Sequence, residues 1–88
     1  MHPAIAPGNI AVVTGAANGI GEAAARRLAG EGMRVCLADF DAERLARVQA
    51  DLGDQAIAVT LDVSDRAAVE ALAGEVAARL GPVSVLMN

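Results

Sequence analysis

The residues with the clearest capacity for chemistry form one glycine-rich segment, Thr14–Gly21 (TGAANGIG), which lies between an apolar run and a helical pattern. Gly15 permits a tight exit from a strand, Gly19 lets backbone approach a pyrophosphate, and Gly21 lets a helix lie close to a sheet. The N–H groups at the helix start would point at a phosphate, and the helix dipole favours its charge. The segment predicts a dinucleotide-binding turn; the competing interpretation is a plain glycine turn.

A second candidate is Asp39, which follows an apolar run and lies 18 residues after Gly21. A carboxylate at this place can accept hydrogen bonds from both hydroxyls of an adenosine ribose, and it repels a 2′-phosphate. NADP would favour a basic residue at position 18 or just after 39, where this chain has Asn18 and Phe40. We therefore expect NAD to be preferred over NADP. The alternative is a strand-end Asp that caps the next helix, although Asp41 already suits that role.

Composition excludes several other chemistries. All seven basic residues are arginine, there is no tyrosine or tryptophan, and His2 and Cys36 are single. A lysine Schiff base, a tyrosine acid, an intrachain disulfide and a Cys/His zinc site are therefore impossible within these residues, and no metal site is expected. The net charge of −4 and the pI near 4.7 argue against nucleic acid and anionic membranes as partners.

The sequence also bears on where in the cell the protein is found. No apolar run reaches the roughly 18 residues of a membrane span, and no secretory signal precedes the first strand. A single thiol fits a cytoplasmic location.

Residues 1–9 are predicted to be a flexible leader, because they include Pro3, Pro7 and Gly8 as breakers. Short apolar runs predict four buried strands: Ile10–Thr14, Arg34–Ala38, Ala56–Leu61 and Val83–Met87.

Helical periodicity fills the three intervals between these strands. The first helix should bury Ile20, Ala24 and Leu28 and end near Gly30 or Gly32. The next two helices should start at the caps Asp41 and Ser64 and end at Gly53 and Gly81-Pro82. Their apolar stripes are Leu45, Val48 and Leu52 in the second, and Val69, Leu72, Val76 and Leu80 in the third.

The resulting order is βαβαβαβ, one α/β domain over residues 10–88. Strands that are apolar throughout predict a parallel sheet covered by helices on both faces. The fourth strand stops one residue before the end of the sequence with no element after it, which would leave its far edge bare. The sequence is therefore expected to be a truncated part of a longer protein, and alone it should be poorly soluble or molten.

The turn T-G-x-x-x-G-x-G resembles that of the short-chain dehydrogenase/reductase family. Three further positions fit that family in register, and the resemblance covers Ile10–Asn88: Asp39 at the end of strand two, Asp62-Val63 after strand three, and the strand VSVLMN. The resemblance implies a Rossmann-type doubly wound sheet with strand order 3-2-1-4-5-6-7, of which four strands are present. It also implies an oxidoreductase that transfers hydride between NAD(H) and an alcohol or ketone.

By the same resemblance, Asp62 would receive the adenine amino group and the Val63 amide would meet a ring nitrogen. The alternative is that Asp62 caps the third helix in competition with Ser64. Thr14 either holds the turn through its hydroxyl or is an ordinary β-branched strand residue, and both interpretations stay open. Cys36 is expected in the core. The predicted cofactor-binding residues are Thr14, Gly15, Asn18, Gly19, Ile20, Gly21, Asp39, Asp62 and Val63.

The family's catalytic groups are a Tyr acid/base, a Lys four residues on and a Ser that orients the substrate. This sequence has no tyrosine or lysine, and Ser64 and Ser84 belong to a cap and a strand. No catalytic residue is therefore assigned, and the 88 residues alone should be inactive. The complete protein is expected to form a homo-oligomer. The alternatives are a non-catalytic nucleotide-binding stub or remnant, and another Rossmann-like binder such as a methyltransferase.

Overall fold

The computed structural model describes residues 5–17 and 19–87. Four parallel strands form one sheet in the order β3-β2-β1-β4, which confirms the predicted fold class and the order of these strands. A short 3-10 turn, Gly53–Gln55, was not predicted. The elements are β1 (Ile10–Thr14), α1 (Gly19–Gly30), β2 (Arg34–Asp39), α2 (Ala42–Leu52), β3 (Ala56–Thr60), α3 (Arg66–Leu80) and β4 (Val83–Met87).

The helices lie on both faces of the sheet. Helices α1 and α2 pack on one face, where Leu28 and Leu45 meet Val13 and Leu37. Helix α3 packs on the other face, where Leu72 and Val76 cluster with the opposite side of the central strands. This arrangement follows from right-handed crossovers, because the chain moves from β1 to β3 in one direction and returns past β1 to reach β4.

Coverage of the sheet is uneven. All five residues of β1 are buried, and β2 is buried from Val35 onward. The edge strand β4 alternates between partly buried and exposed positions, and in the edge strand β3 only Ala56 is fully buried. The prediction of a sheet covered on both faces is therefore correct for the two central strands, but wrong for the edge strands.

The helix caps agree with prediction except at α3. Asp41 caps α2 by accepting from the Arg44 N–H at 3.1 Å, and Gly53 ends that helix. At α3 the predicted cap Ser64 is wrong, and so is the alternative Asp62. Asp65 is the cap, and it accepts from the Ala68 N–H at 3.1 Å.

The predicted apolar stripe of α1 is wrong at Ile20, which is 81% exposed. The residues that α1 buries are Ala25, Leu28 and Ala29. Because Gly21 faces the sheet, the buried side of the helix runs through positions 21, 25, 28 and 29. Neighbouring positions on a helix point about 100° apart, so Ile20 falls outside that side.

Residues 5–9, predicted as part of a flexible leader, contact the end of the sheet at which β1 begins. Ile5 packs against the core on the α1–α2 face. The Gly8 N–H donates to the Gly32 carbonyl at 3.0 Å, and the Asn9 carbonyl accepts from the Arg34 N–H at 2.9 Å. These contacts hold the chain in place before β1.

Candidate nucleotide-binding site

A cleft of about 610 Å³ opens at the carboxyl end of the sheet. Strand β1 lies between β2 and β4, and the helices following β1 and β3 lie on opposite faces. A crevice forms at such a point because the two connections diverge, and ligands of open α/β sheets bind there. The lining residues are Thr14, Gly15, Val63, Ser64, Arg66, Val69, Glu70 and Leu86.

The glycine turn borders this cleft and brings α1 against the end of β1. A Cβ built on Gly21 would lie 2.1 Å from the Gly15 carbonyl oxygen and 3.1 Å from the Thr14 oxygen. Both contacts are with backbone, so no side-chain rotation would relieve them. The proposed reason for a glycine at 21, close packing of the helix on the sheet, therefore has a direct geometric counterpart.

The other two glycines of the turn have left-handed backbone. Gly15 has φ 65° and Gly19 has φ 61°, a region in which residues with a side chain are uncommon. A Cβ at Gly19 would meet no atom within 4 Å. The first N–H groups of α1 have no partner within the helix, and the open space at the Cβ position of Gly19 leaves room for a ligand.

Asp39 is buried, with 4% of its surface exposed, and it joins the turn to the end of β2. Its Oδ2 accepts from the Ala17 N–H at 3.1 Å, and its Oδ1 accepts from the Asp41 N–H at 3.2 Å. The interpretation of Asp39 as an exposed helix cap is wrong, because Asp41 fills that role. Each carboxylate oxygen can accept more than one hydrogen bond, so the group keeps capacity for a ligand.

Thr14 lies in β1, as one interpretation of the sequence had it, and it makes a contact that the sequence did not predict. Its hydroxyl donates to the Met87 carbonyl at 3.1 Å. The bond joins the carboxyl ends of β1 and β4, the two strands beneath the cleft. Thr14 is thus a buried strand residue whose hydroxyl fixes the floor of the cleft.

Asp62 forms a turn of its own with Ser64 before α3. Asp62 Oδ1 accepts from the Ser64 hydroxyl at 2.6 Å and from the Ser64 N–H at 2.9 Å. The hydrogen bond from the Ser64 hydroxyl, and to a smaller extent the one from its N–H, hold the pKa of Asp62 below its usual range. The carboxylate is therefore charged at neutral pH. Val63, which lies between Asp62 and Ser64 in the chain, is partly buried and lines the cleft.

The structure brings together only part of the predicted set. Thr14, Gly15 and Val63 line the cleft, and Asp39 reaches the turn through Ala17. Gly19 and Ile20 are exposed at the start of α1, and Asn18 lies outside the described residues. Sequence reasoning missed the lining residues that come from α3 and β4, because no local motif marks them: Arg66, Val69, Glu70 and Leu86.

Cys36 is buried as expected, and burial raises the pKa of its thiol to about 11. Over residues 5–17 and 19–87 there is no group of three or more His, Cys, Asp or Glu side chains placed to hold a metal ion. Within the same part of the chain, no helix has the length and apolar character needed to cross a membrane.

Comparison with known proteins identifies the family. The short chain dehydrogenase family matches residues 9–88, so the chain belongs to that family. Meso-2,3-butanediol dehydrogenase of Serratia marcescens is 51% identical over 80 residues, which cover 90% of this chain and 32% of the relative. The chain therefore spans about a third of the length of the curated relatives it matches.

Solved structures agree with this fold. A short chain dehydrogenase/reductase from Burkholderia phymatum in complex with NAD is 42% identical with a TM-score of 0.82, covering 91% of this chain and 30% of that one. L-sorbose reductase from Gluconobacter frateurii, complexed with NADPH and L-sorbose, is 29% identical with a TM-score of 0.80, covering 92% and 32%. A nicotinamide dinucleotide is thus the cofactor class of these relatives, and both forms of it occur among them.

Proposed function

We propose that this member of the short chain dehydrogenase family is the NAD-binding part of an oxidoreductase acting on an alcohol or ketone. The observation that carries the proposal is the hydrogen bond between Asp39 Oδ2 and the Ala17 N–H, at 3.1 Å. It fixes a carboxylate beside the glycine turn, where the adenosine ribose of a dinucleotide would lie once its pyrophosphate meets the start of α1.

The residues fit the cofactor in three places. The pyrophosphate would meet the backbone around Gly19, where a missing side chain leaves open space. The ribose hydroxyls would donate to Asp39. The adenine would lie by Asp62 and Val63, with the Asp62 carboxylate receiving the amino group and the Val63 amide meeting a ring nitrogen. The proposed binding set keeps Thr14, Gly15, Asn18, Ile20 and Gly21, which shape or border the turn.

The redox step is proposed for the complete protein only. When bound, the cofactor would supply the group that accepts or returns the hydride, and a base would have to take the proton of the alcohol. In the family that base is a tyrosine assisted by a lysine four residues on, and this sequence contains neither residue type. We therefore expect the 88 residues by themselves not to turn over an alcohol. A cytoplasmic location and a homo-oligomer are part of the same proposal.

Calorimetric titration tests the cofactor assignment, with the protein expressed from its complete coding sequence. NAD⁺ should bind at least about tenfold more tightly than NADP⁺, because a 2′-phosphate would approach the buried Asp39 carboxylate. Asp39→Ala should abolish that preference, whereas Asp54→Ala, at an exposed carboxylate before β3, should retain it. Binding of S-adenosylmethionine in place of either dinucleotide would overturn the proposal.

A further inference from the structure

Strand β3 is an outer strand of the sheet, and it lacks the features that usually stop an outer strand from pairing with another chain. Its residues, Ala56–Thr60 (AIAVT), include no charged residue and no proline. It pairs with β2 in an unbroken register, so no bulge twists its edge away. Within residues 5–17 and 19–87, no strand pairs with its other edge. Such an edge is a template for a further strand.

The backbone groups that β3 directs outward limit how a further strand can pair with it. The Leu61 N–H, just after β3, donates to β2 at 2.9 Å. Since alternate residues of a strand face the same neighbour, the odd-numbered residues of β3 face β2 and the even-numbered residues face outward. The Ala56 carbonyl is already bound to the Gln49 side chain at 3.2 Å. The backbone groups of Ala58 and Thr60 are therefore the ones that a partner strand can meet.

A groove of about 410 Å³ lies beside β3 on the face covered by α3. Its two charged lining residues, Glu75 and Arg79, are one turn apart on α3 and form an ion pair at 3.2 Å. Ile57 lines the groove with 41% of its surface exposed, so part of an apolar side chain is left facing water at the edge of the sheet. The apolar lining residues are Cys36, Ile57, Val59, Leu72, Val76 and Leu80.

The charges beside the groove are complementary to those of a second copy of this chain. In a two-fold interface, residue i of one copy contacts residue j of the other, and j contacts i. When β3 pairs antiparallel with the partner's β3, the two α3 helices lie on the same face of the joined sheet and run in opposite directions. Glu75 of each copy then lies toward Arg79 of the other, so opposite charges meet across the joined grooves.

The opposite face of the sheet leaves room for the same partner. Helix α2 packs against β3 there, and its charged residues Arg47 and Asp51 line a cleft shared with α1. Ala42, Ala46 and Ala50 are one turn apart on a different side of α2, and all three are exposed. Small side chains let two helices approach closely, so the partner's α2 can lie alongside this one.

We propose that the outer edge of β3 is the interface at which two copies of this chain join, with Ala58 paired antiparallel to Thr60 of the partner subunit. Each such pair exchanges two backbone hydrogen bonds, and the two-fold axis makes the pair twice. A register with Ala58 opposite its own copy would instead set Asp54 against Asp62, two like charges. The inference gives the proposed homo-oligomer an interface, and it does not depend on the cofactor.

The test measures the mass of the assembly by sedimentation velocity over a range of concentrations, with protein expressed from its complete coding sequence. Ile57→Lys places a charge at the paired edge and should halve the mass. Glu75→Arg sets like charges against each other across the axis and should raise the dissociation constant at least about tenfold. Glu75→Arg/Arg79→Glu restores opposite charges and should return the dissociation constant to within about threefold of wild type.

Glu70→Arg is the matched control for the charge variants. Glu70 forms the same kind of ion pair with Arg66, at 3.3 Å on the same helix, but on the side that lines the cofactor cleft. Its reversal should leave the dissociation constant unchanged. An equal effect of Glu70→Arg and Glu75→Arg would show that net charge, and not the edge of β3, governs assembly, and would overturn the proposal.

The remaining outcomes are equally decisive. A monomeric wild type, or an unchanged mass in both Ile57→Lys and Glu75→Arg, overturns the interface. So does a loss of stability in urea without a change of mass, because other residues of the same chain then cover the edge. If circular dichroism shows Ile57→Lys unfolded, the charge variants decide, and failure of the double variant to restore assembly overturns the two-fold arrangement. Titration of wild type with NAD⁺ judges the proposed cofactor separately, whatever the mass.

Discussion

Replacing Gly21 by alanine tests the contact on which the geometry of the turn depends. The new Cβ would lie 2.1 Å from the Gly15 oxygen and 2.7 Å from the Gly15 carbonyl carbon. Ordinary contacts of a Cβ begin near 3.4 Å, so α1 and the turn would have to separate by about 1.3 Å. Forced separation of packed elements costs roughly 1–3 kcal/mol. Alanine returns about 1 kcal/mol through its higher helix propensity.

We therefore expect a net loss of up to about 2 kcal/mol in the free energy of unfolding for Gly21→Ala. Urea unfolding of the protein expressed from its complete coding sequence measures that change, and titration with NAD⁺ measures the accompanying loss of affinity. The loss of affinity should be about tenfold or more, because the phosphate-binding end of α1 moves with the helix.

Gly74→Ala is the matched control. Gly74 lies inside α3, and a Cβ there would meet no atom within 4 Å. Its substitution should stabilise the protein by about 0.5–1 kcal/mol and leave NAD⁺ affinity unchanged. The reasoning is refuted if Gly21→Ala is as stable as Gly74→Ala and binds NAD⁺ equally well.

Three further outcomes are expected. Asp65→Ala should lower the free energy of unfolding, measured with urea, by about 1 kcal/mol, because it removes the cap of α3. An equal or larger loss for Ser64→Ala would contradict the assignment of Asp65 as the cap. Ser64→Ala should instead raise the pKa of Asp62 toward its ordinary value, as measured by carboxyl-carbon NMR. In the wild type, the low pKa of Asp62 stabilises the folded state at pH values above the pKa that Asp62 has in the unfolded chain. This stabilisation is lost as the pH falls through the pKa of Asp62 in the folded state. Cys36, with a pKa of about 11, is only ~0.1% thiolate at pH 8. A thiol reagent should therefore modify Cys36 only as fast as the protein opens. Immediate labelling under native conditions would show that the thiol is accessible and would contradict its burial.

The glycine turn and Asp39 were predictable because their requirements are local. A missing Cβ at Gly21 and a carboxylate at the end of an apolar run can each be recognised from the residues alone. What the sequence did not reveal is that the Asp39 carboxylate accepts hydrogen bonds from the N–H groups of Ala17 and Asp41. Those partners depend on how two loops meet, and their N–H groups carry no signature in the sequence.

The two errors in the helices have the same origin. Ile20 is apolar and at helical spacing, yet the rotation of α1 about its axis is set by the glycine that touches the sheet. Ser64 and Asp65 are both good caps, and the hydrogen bonds of Ser64 to Asp62 decide between them. In each case tertiary or neighbouring contacts selected among locally equivalent choices, which single-residue preferences cannot rank.

A crystal structure of the complete protein with NAD⁺ tests the central claim most directly. The account predicts the adenosine ribose hydroxyls within about 3.2 Å of the Asp39 carboxylate, and the pyrophosphate over the first turn of α1. Both features must appear together, because the hydrogen bond between Asp39 and Ala17 joins the two sites. A dinucleotide bound elsewhere, or with its ribose turned away from Asp39, would contradict the account.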